Sequence, residues 1–318
     1  MGQDVGMSAA IELHGLTKWY GSRRGVEGLD VEVRQGEVFG FLGPNGSGKT
    51  TTIRLLLGLI RPSSGSATVF GHDTWRDATE AHRSMAYLCD DPAYLGELTA
   101  AQALDFLGGL RGLPAGSWRP VAERLALDPG VPIRKLSRGN RQKVSVALVF
   151  MGKEPLLVMD EPTTGLDPLM QREFLALVAE ASAEGRTVFL SSHNLPEVER
   201  SCDRVAIIRE GRLADVRAVH ELLGEHWRSV SLVLGSPAPP GTFDLPDVRV
   251  SVETDREVHL MVRGDVKPIL RRIAALDVAD VSIATPDIED VFLGFYDGRD
   301  KSAPELDAAP PGIAERRR

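Results

Sequence analysis

The 318-residue sequence predicts an α/β protein: a parallel sheet covered by helices on both faces, followed by a small α+β domain. Three observations carry this. Apolar, strand-like runs alternate with helical stretches between residues 37 and 208. A glycine-rich loop stands between a strand and a helix at 43–50. Past Leu223 the texture changes to period-two alternation, the pattern of half-exposed antiparallel strands.

Taken in order, residues 11–16 and 31–33 read as short strands, and Glu37–Leu42 as a buried one. Thr50–Ile60 is helical, with Ile53, Leu56, Leu57 and Ile60 on one face, and Arg61-Pro62-Ser63-Ser64-Gly65 stops it. From about 85 to 150 the pattern is helical with glycine and proline breaks, a helical subdomain. Strands return at Leu156–Met159, Thr187–Ser191 and Val205–Ile208, with a helix at Leu169–Glu184. Then Val230/Leu232/Leu234, Val248/Val250/Val252 and Val258/Leu260/Val262 alternate, with helices expected at Asp265–Leu276 and Pro286–Tyr296. The domains expected are therefore 1–224, an accessory α+β domain at 225–297, and a disordered tail at 298–318.

Composition narrows the function. Hydrophobic residues at 42% and charged residues at 26% suit a globular protein with a real core. A net charge of −8 argues against nucleic acid as a partner, because that binding needs a basic surface. The two cysteines, Cys89 and Cys202, stand in no metal-ligand spacing, so a disulfide framework and a cysteine zinc site are excluded and a reducing cytosol is expected. No stretch of 18 mostly apolar residues is present. The opening residues show no charged-then-apolar leader pattern, and Gly6 stands where myristoylation requires Ser or Thr.

Gly43-Pro44-Asn45-Gly46-Ser47-Gly48-Lys49-Thr50 matches GxxxxGK[ST], the mark of a P-loop nucleotide-binding core, and Thr51 follows it into the helix. Glycines let backbone N–H groups wrap phosphates, the helix N-terminus adds partial positive charge, and Lys49 adds a full one. Thr50 offers a hydroxyl to Mg²⁺. Leu156-Leu157-Val158-Met159-Asp160-Glu161 is a buried strand ending in two carboxylates. Asp160 suits the Mg²⁺ shell, and Glu161, one residue clear of the strand, suits the acceptance of a proton from attacking water. An Asp-Glu pair alone is more often a solvated strand end; the phosphate loop gives it meaning.

Three more elements fall in place: Leu136-Ser137-Arg138-Gly139-Asn140-Arg141-Gln142 before the Asp160 strand, Thr164-Gly165-Leu166-Asp167 after it, and His193 ending the next strand. With these, residues 10–223 resemble the ATP-binding subunit of ABC transporters. The resemblance implies ATP and Mg²⁺ as cofactors. It makes Ser137 and Gly139 the signature that contacts the γ-phosphate held by an opposite subunit, in a nucleotide-driven homodimer or a heterodimer with a related ATPase. Asp167 resembles the residue that couples the two sites, and His193 the switch histidine that orients the γ-phosphate and Glu161. Tyr20, in Lys18-Trp19-Tyr20-Gly21, matches the aromatic that stacks on adenine; Trp19 is the alternative.

Two positions depart from the family pattern. Arg138 and Asn140 stand where the best-known signature has Gly and Gln. Asp90 stands where a Gln usually reaches Mg²⁺ and the water, with Asp91 able to take the role in a register shifted by one. The end of the second domain, Pro286-Asp287-Ile288-Glu289-Asp290-Val291-Phe292-Leu293, resembles the extension on ATPases of drug- and antibiotic-exporting systems. A cap or dimerisation module is the bland reading of that domain. The resemblance implies a peripheral subunit on the cytoplasmic face of a bacterial membrane, driving export through a permease that is a separate polypeptide. The competing readings are an importer ATPase and a soluble ABC ATPase acting on DNA or the ribosome. Against the latter stand the single cassette, the acidic charge and the absence of a long coiled coil between Lys49 and Ser137.

Overall fold

A computed structural model describes residues 8–88, 95–224 and 227–284. Its contacts divide the chain into two compact units, Met1–His226 and Trp227–Arg318. Asp90, Asp91, the segment 286–296 and the tail lie outside the described residues.

The first unit holds two sheets. One is antiparallel, in the order β2-β1-β4-β5: β1 (Ala9–Tyr20), β2 (Arg23–Arg34), β4 (Ser64–Val69) and β5 (His72–Asp73). The other has six strands in the order β10-β9-β3-β8-β7-β6. Its members are β3 (Val38–Leu42), β6 (Met85–Leu88), β7 (Leu156–Asp160), β8 (Thr187–Ser192), β9 (Arg204–Arg209) and β10 (Arg212–Ala218). All pairs in it are parallel except β9 with β10. The central strands β3, β7 and β8 are buried at every residue, as a sheet covered on both faces requires. Phe39 stacks on Phe189 with ring centroids 6.1 Å apart, and Phe41 tilts against the same ring at 5.5 Å. This aromatic cluster fixes β3 to β8, the two strands whose ends carry the phosphate loop and His193.

The helices follow the apolar periodicity: the one expected at Leu169–Glu184 matches its expected length, whereas the first is shorter. Helix α1 (Lys49–Leu56) ends early because Gly58 turns left-handed at φ +61°, against the Thr74 carbonyl, where no side chain fits. Then come α2 (Ala78–Arg83), α3 (Ala100–Leu110), α4 (Arg119–Arg124), α5 (Arg138–Phe150), α6 (Pro168–Ala183), α7 (Leu195–Ser201) and α8 (Val219–Gly224). A capping box at Thr99 and Gln102 starts α3, and the Asp105 carboxylate binds the Gly116 N–H and the Trp118 indole, tying α3 to the turn before α4.

The helical reading of 85–150 needs a correction at its start. Met85–Leu88 is a strand, paired in parallel with β7 at the sheet edge. Four apolar residues show no period by themselves, so only the partner strand decides their conformation. The strands expected at 11–16 and 31–33 are also longer, each being 12 residues of one antiparallel pair. Cys202 is buried against Gly40, which pushes its thiol up to about 12; it is a packing residue.

In the second unit, β11 (Trp227–Leu234), β12 (Val248–Glu253), β13 (Glu257–Arg263) and β14 (Val278–Ala284) form an antiparallel sheet in the order β12-β13-β11-β14. Val230, Leu232, Leu234, Val258, Leu260 and Val262 face one core, against Ile269 and Ile273 of α9 (Lys267–Ile273). The expected helix at Asp265–Leu276 is thus shorter, and β14 follows it.

Candidate functional site

The site grows from the carboxyl ends of β3, β7 and β8. After β3 the chain enters the loop Gly43–Gly48, and two of its glycines are obligatory by conformation: Gly46 at φ +81° and Gly48 at φ +114°. Gly43 is obligatory by space, because a Cβ there would lie 2.6 Å from Ser47 Oγ and run into the Ile208 carbonyl. The Ser47 hydroxyl is buried and has no hydrogen-bond partner. A buried orphan hydroxyl beside a helix N-terminus suits an anion.

Lys49, in the first turn of α1, is almost wholly buried. Its ammonium lies over the loop, donating to the Gly43 carbonyl at 2.6 Å and the Pro44 carbonyl at 3.2 Å. It also stands 3.2 Å from Glu161 Oε1, an ion pair not aligned as a hydrogen bond. Thr50 is exposed on α1, and Thr51 half-buried.

Asp160 ends β7 as a buried carboxylate and accepts a 2.5 Å hydrogen bond from Ser191 Oγ. The same hydroxyl accepts the Glu161 N–H at 3.1 Å, so Ser191 fixes both carboxylates to β8. Glu161 has φ +48°, a left-handed backbone that a non-glycine residue adopts only under constraint. That turn swings its side chain away from the strand axis, placing Oε2 2.6 Å from His193 Nδ1. Lys49, Glu161 and His193 therefore form a continuous cation–carboxylate–imidazole chain. Beneath it, Glu197 of α7 bonds the Ser192 hydroxyl at 2.6 Å; burial first, and the Glu161 charge more weakly, push its carboxyl above the usual range.

The other expected residues lie around this chain in different ways. Ser137 caps α5, accepting the Asn140 N–H at 3.3 Å, and its residue is exposed. Gly139 packs directly on the Gly165 carbonyl. Asp167 caps α6, accepting from Leu169 and Met170 at 3.0 Å. Ser137 and Asp167 are thus engaged with their own helices. Tyr20 and Trp19 part at the end of β1: the Trp19 N–H goes to Ser63 Oγ, while the Tyr20 ring edge and the Thr51 methyl both crowd the space above Gly25. The Tyr20 ring therefore borders the loop helix. Arg138 is exposed, with its stem against Gly165.

Two contributors, Ser191 and Glu197, escape motif reading, and Gln142 enters it only as the last residue of the signature segment, with no role assigned. Their signal is positional, a Ser-Ser pair before His193, a carboxylate four residues after it, and an amide five residues past Ser137.

The family model described as ABC transporter matches residues 26–164. The bacitracin transport ATP-binding protein BcrA of Bacillus licheniformis is 32% identical over 303 residues, covering 92% of this chain and 99% of that one. The chain belongs to the ABC transporter ATP-binding family. This ABC ATPase hydrolyses ATP as a transporter subunit. The daunorubicin resistance ATP-binding protein DrrA3 of Streptomyces coeruleorubidus is 33% identical to it, over 89% of this chain and 95% of that one. Among solved structures, an ATP-binding subunit of an ABC transporter superposes with TM-score 0.62 at 29% identity, covering 67% of this chain and 91% of the other. A bacterial Atm1-family exporter with ATP bound, 24% identical, shares the fold at TM-score 0.60, over 68% of this chain and 39% of that one.

Proposed function

We propose that this ABC ATPase powers export of a drug- or antibiotic-like small molecule through a permease that is a separate polypeptide. What supports the export direction is the extent of the match to transporter ATPases whose names include bacitracin transport and daunorubicin resistance. It runs through both compact units rather than the nucleotide-binding unit alone. Among the described residues no helix is long and apolar enough to cross a membrane, and on this reading a partner permease supplies the path. The chain then works at the cytoplasmic face of the membrane, as a peripheral subunit.

The observation that carries the chemistry is Glu161 held between Lys49 and His193 at the mouth of the phosphate loop. Loop amides, Ser47 and Lys49 bind the phosphates; Glu161 accepts the proton of the attacking water; His193 orients Glu161 through its Nδ1 bond. A cation fits the donor set. Among the described residues no cluster of three His, Cys, Asp or Glu side chains forms a cage, and Mg²⁺ characteristically takes one or two carboxylates with substrate phosphates. Thr50 and Asp160, both oxygen donors, would hold it, and when bound it would neutralise phosphate charge. Asp90 stays a candidate ligand from its sequence position. Tyr20 stacks on adenine, while Ser137 and Gly139 meet the γ-phosphate of a second copy and Asp167 lies at that interface.

Glu161→Gln tests the chemistry. It keeps size and removes the proton acceptor, so turnover should fall by about 10²–10⁴-fold while ATP binding persists. Hydrolysis at the parental rate would remove Glu161 from the mechanism. Co-purification of a membrane permease with the tagged chain, and loss of resistance to an exported compound on deletion, test the transport reading.

A further inference from the structure

Glu161 holds its left-handed backbone against its own preference, and the structure shows what holds it on each side. Upstream, its N–H is bound by Ser191 Oγ at 3.1 Å. Downstream comes Pro162, which has no N–H, so its carbonyl is that residue's one polar backbone group. That carbonyl accepts a 2.8 Å hydrogen bond from Nε2 of Gln142, a buried residue of α5. The Thr164 N–H closes the turn onto the Glu161 carbonyl at 3.1 Å. One turn earlier on α5, Gly139 meets the same segment: a Cβ there would lie 2.5 Å from the Gly165 carbonyl. The segment 161–165 is therefore seated on α5 at two points, one a hydrogen bond and one a contact only glycine permits. Helix α5 is also the helix that Ser137 begins.

We infer that Gln142 is a positioning residue for hydrolysis: through the Pro162 carbonyl it ties the Ser137 end of α5 to the Glu161 carboxylate of the same chain. This rests on the reading of Glu161 as the proton acceptor. Gln142 acts through the Pro162 carbonyl, to which its Nε2 donates at 2.8 Å. It fixes the peptide that aims Glu161, and the first turn of α5 cannot shift without moving that peptide. Loss of the bond leaves the phosphate loop, Lys49, Thr50 and Asp160 untouched, so its effect belongs to turnover and not to nucleotide affinity.

The test uses the purified full-length chain with Mg²⁺ and ATP and compares Gln142→Met, Gln142→Glu and Glu161→Gln. Gln142→Met keeps volume and removes the donor; Gln142→Glu keeps shape and replaces the donor with an acceptor facing a carbonyl. Both Gln142 variants should lose about 100-fold in kcat, the scale of a small misplacement of a reacting group, with KM for ATP within about twofold of the parent. Parental kcat in Gln142→Met would overturn the inference, whether or not Gln142→Glu is impaired, since the latter alone would report only a buried charge. Loss of ATP binding together with turnover in both variants would also overturn it, by making Gln142 a folding residue. The two readings fail separately: parental activity in Glu161→Gln removes the proton acceptor, whereas an impaired Glu161→Gln beside an active Gln142→Met removes only the link.

Discussion

At the residue scale, Lys49 is the most constrained cation of the site, buried and shared between two loop carbonyls and Glu161. A buried charge of this kind is retained where it meets an anion. Lys49→Ala should lower ATPase activity by at least about 10²-fold and weaken phosphate affinity, while circular dichroism stays parental. An undiminished rate would place the nucleotide site elsewhere. Tyr20 makes a gentler case. Its ring borders Thr51 and takes the Lys18 ammonium 5.4 Å from its centroid, so it is preset beside the loop helix. Aromatic stacking on a base is worth about 1–3 kcal/mol in nucleic-acid binders. Tyr20→Phe should bind ATP almost as the parent does, and Tyr20→Ala about tenfold more weakly; titration with a fluorescent ATP analogue reads both. If Trp19→Ala weakens binding and Tyr20→Ala does not, the stacking residue is Trp19.

At the element scale, β8 is the strand on which the site depends, since Ser191, Ser192 and His193 follow one another at its end. Phe189 anchors it between Phe39 and Phe41. Phe189→Ala should destabilise the fold by about 3–5 kcal/mol, measured as a lower denaturant midpoint, because the cavity cannot collapse between fixed strands. Helix α7 carries a second testable feature. The Glu197 carboxyl lies above its ordinary 4.5, through burial, so the folded chain binds that proton more tightly than the unfolded chain does. Its contribution to stability therefore falls as pH rises from about 4.5 to the folded value, and stays low above it. Glu197→Gln keeps the Ser192 bond and removes that proton, so the variant should gain on the parent as pH rises from 4.5 to neutrality. Denaturant midpoints across that range check it; a growing disadvantage at high pH would mean the ionised carboxylate is stabilising.

At the scale of the whole molecule, the proposed function gives the chain two half-sites: the phosphate loop with Glu161, and the exposed Ser137 at the start of α5. Ser137 caps its own helix and is exposed, and the proposed function has it meet a second copy's nucleotide. Glu161→Gln, by preserving ATP, should run as a dimer on size exclusion with Mg²⁺ and ATP, and as a monomer without them. Adding Ser137→Arg should abolish that dimer by blocking the opposite γ-phosphate. A dimer that survives Ser137→Arg would mean the copies meet through another surface. The division of contacts after His226 makes a further expectation: a fragment ending near residue 224 should still bind ATP, since every loop and carboxylate of the site lies in the first unit.

The sequence by itself determined the phosphate loop, the Asp160–Glu161 strand end, the alternation that demands a parallel sheet, and the change of texture after Leu223. These are legible because each is local: a motif at fixed spacing, or a period within one element. Met85–Leu88 was beyond it, since four apolar residues have no period and become a strand only by pairing with β7. So was β14, whose residues Val278–Ala284 are half-buried at best and lie at an edge that offers little alternation to read. The site shows the same limit. The sequence names Lys49, Glu161 and His193, separated by 112 and 32 positions, but not the 3.2 Å and 2.6 Å contacts that join them. Those distances depend on β3, β8 and β7 being neighbours in that order, and on Ser191 and Gln142 holding the Glu161 backbone where it would not otherwise stay. Strand order and backbone strain are set by contacts between residues far apart in the chain, and only the folded structure contains them.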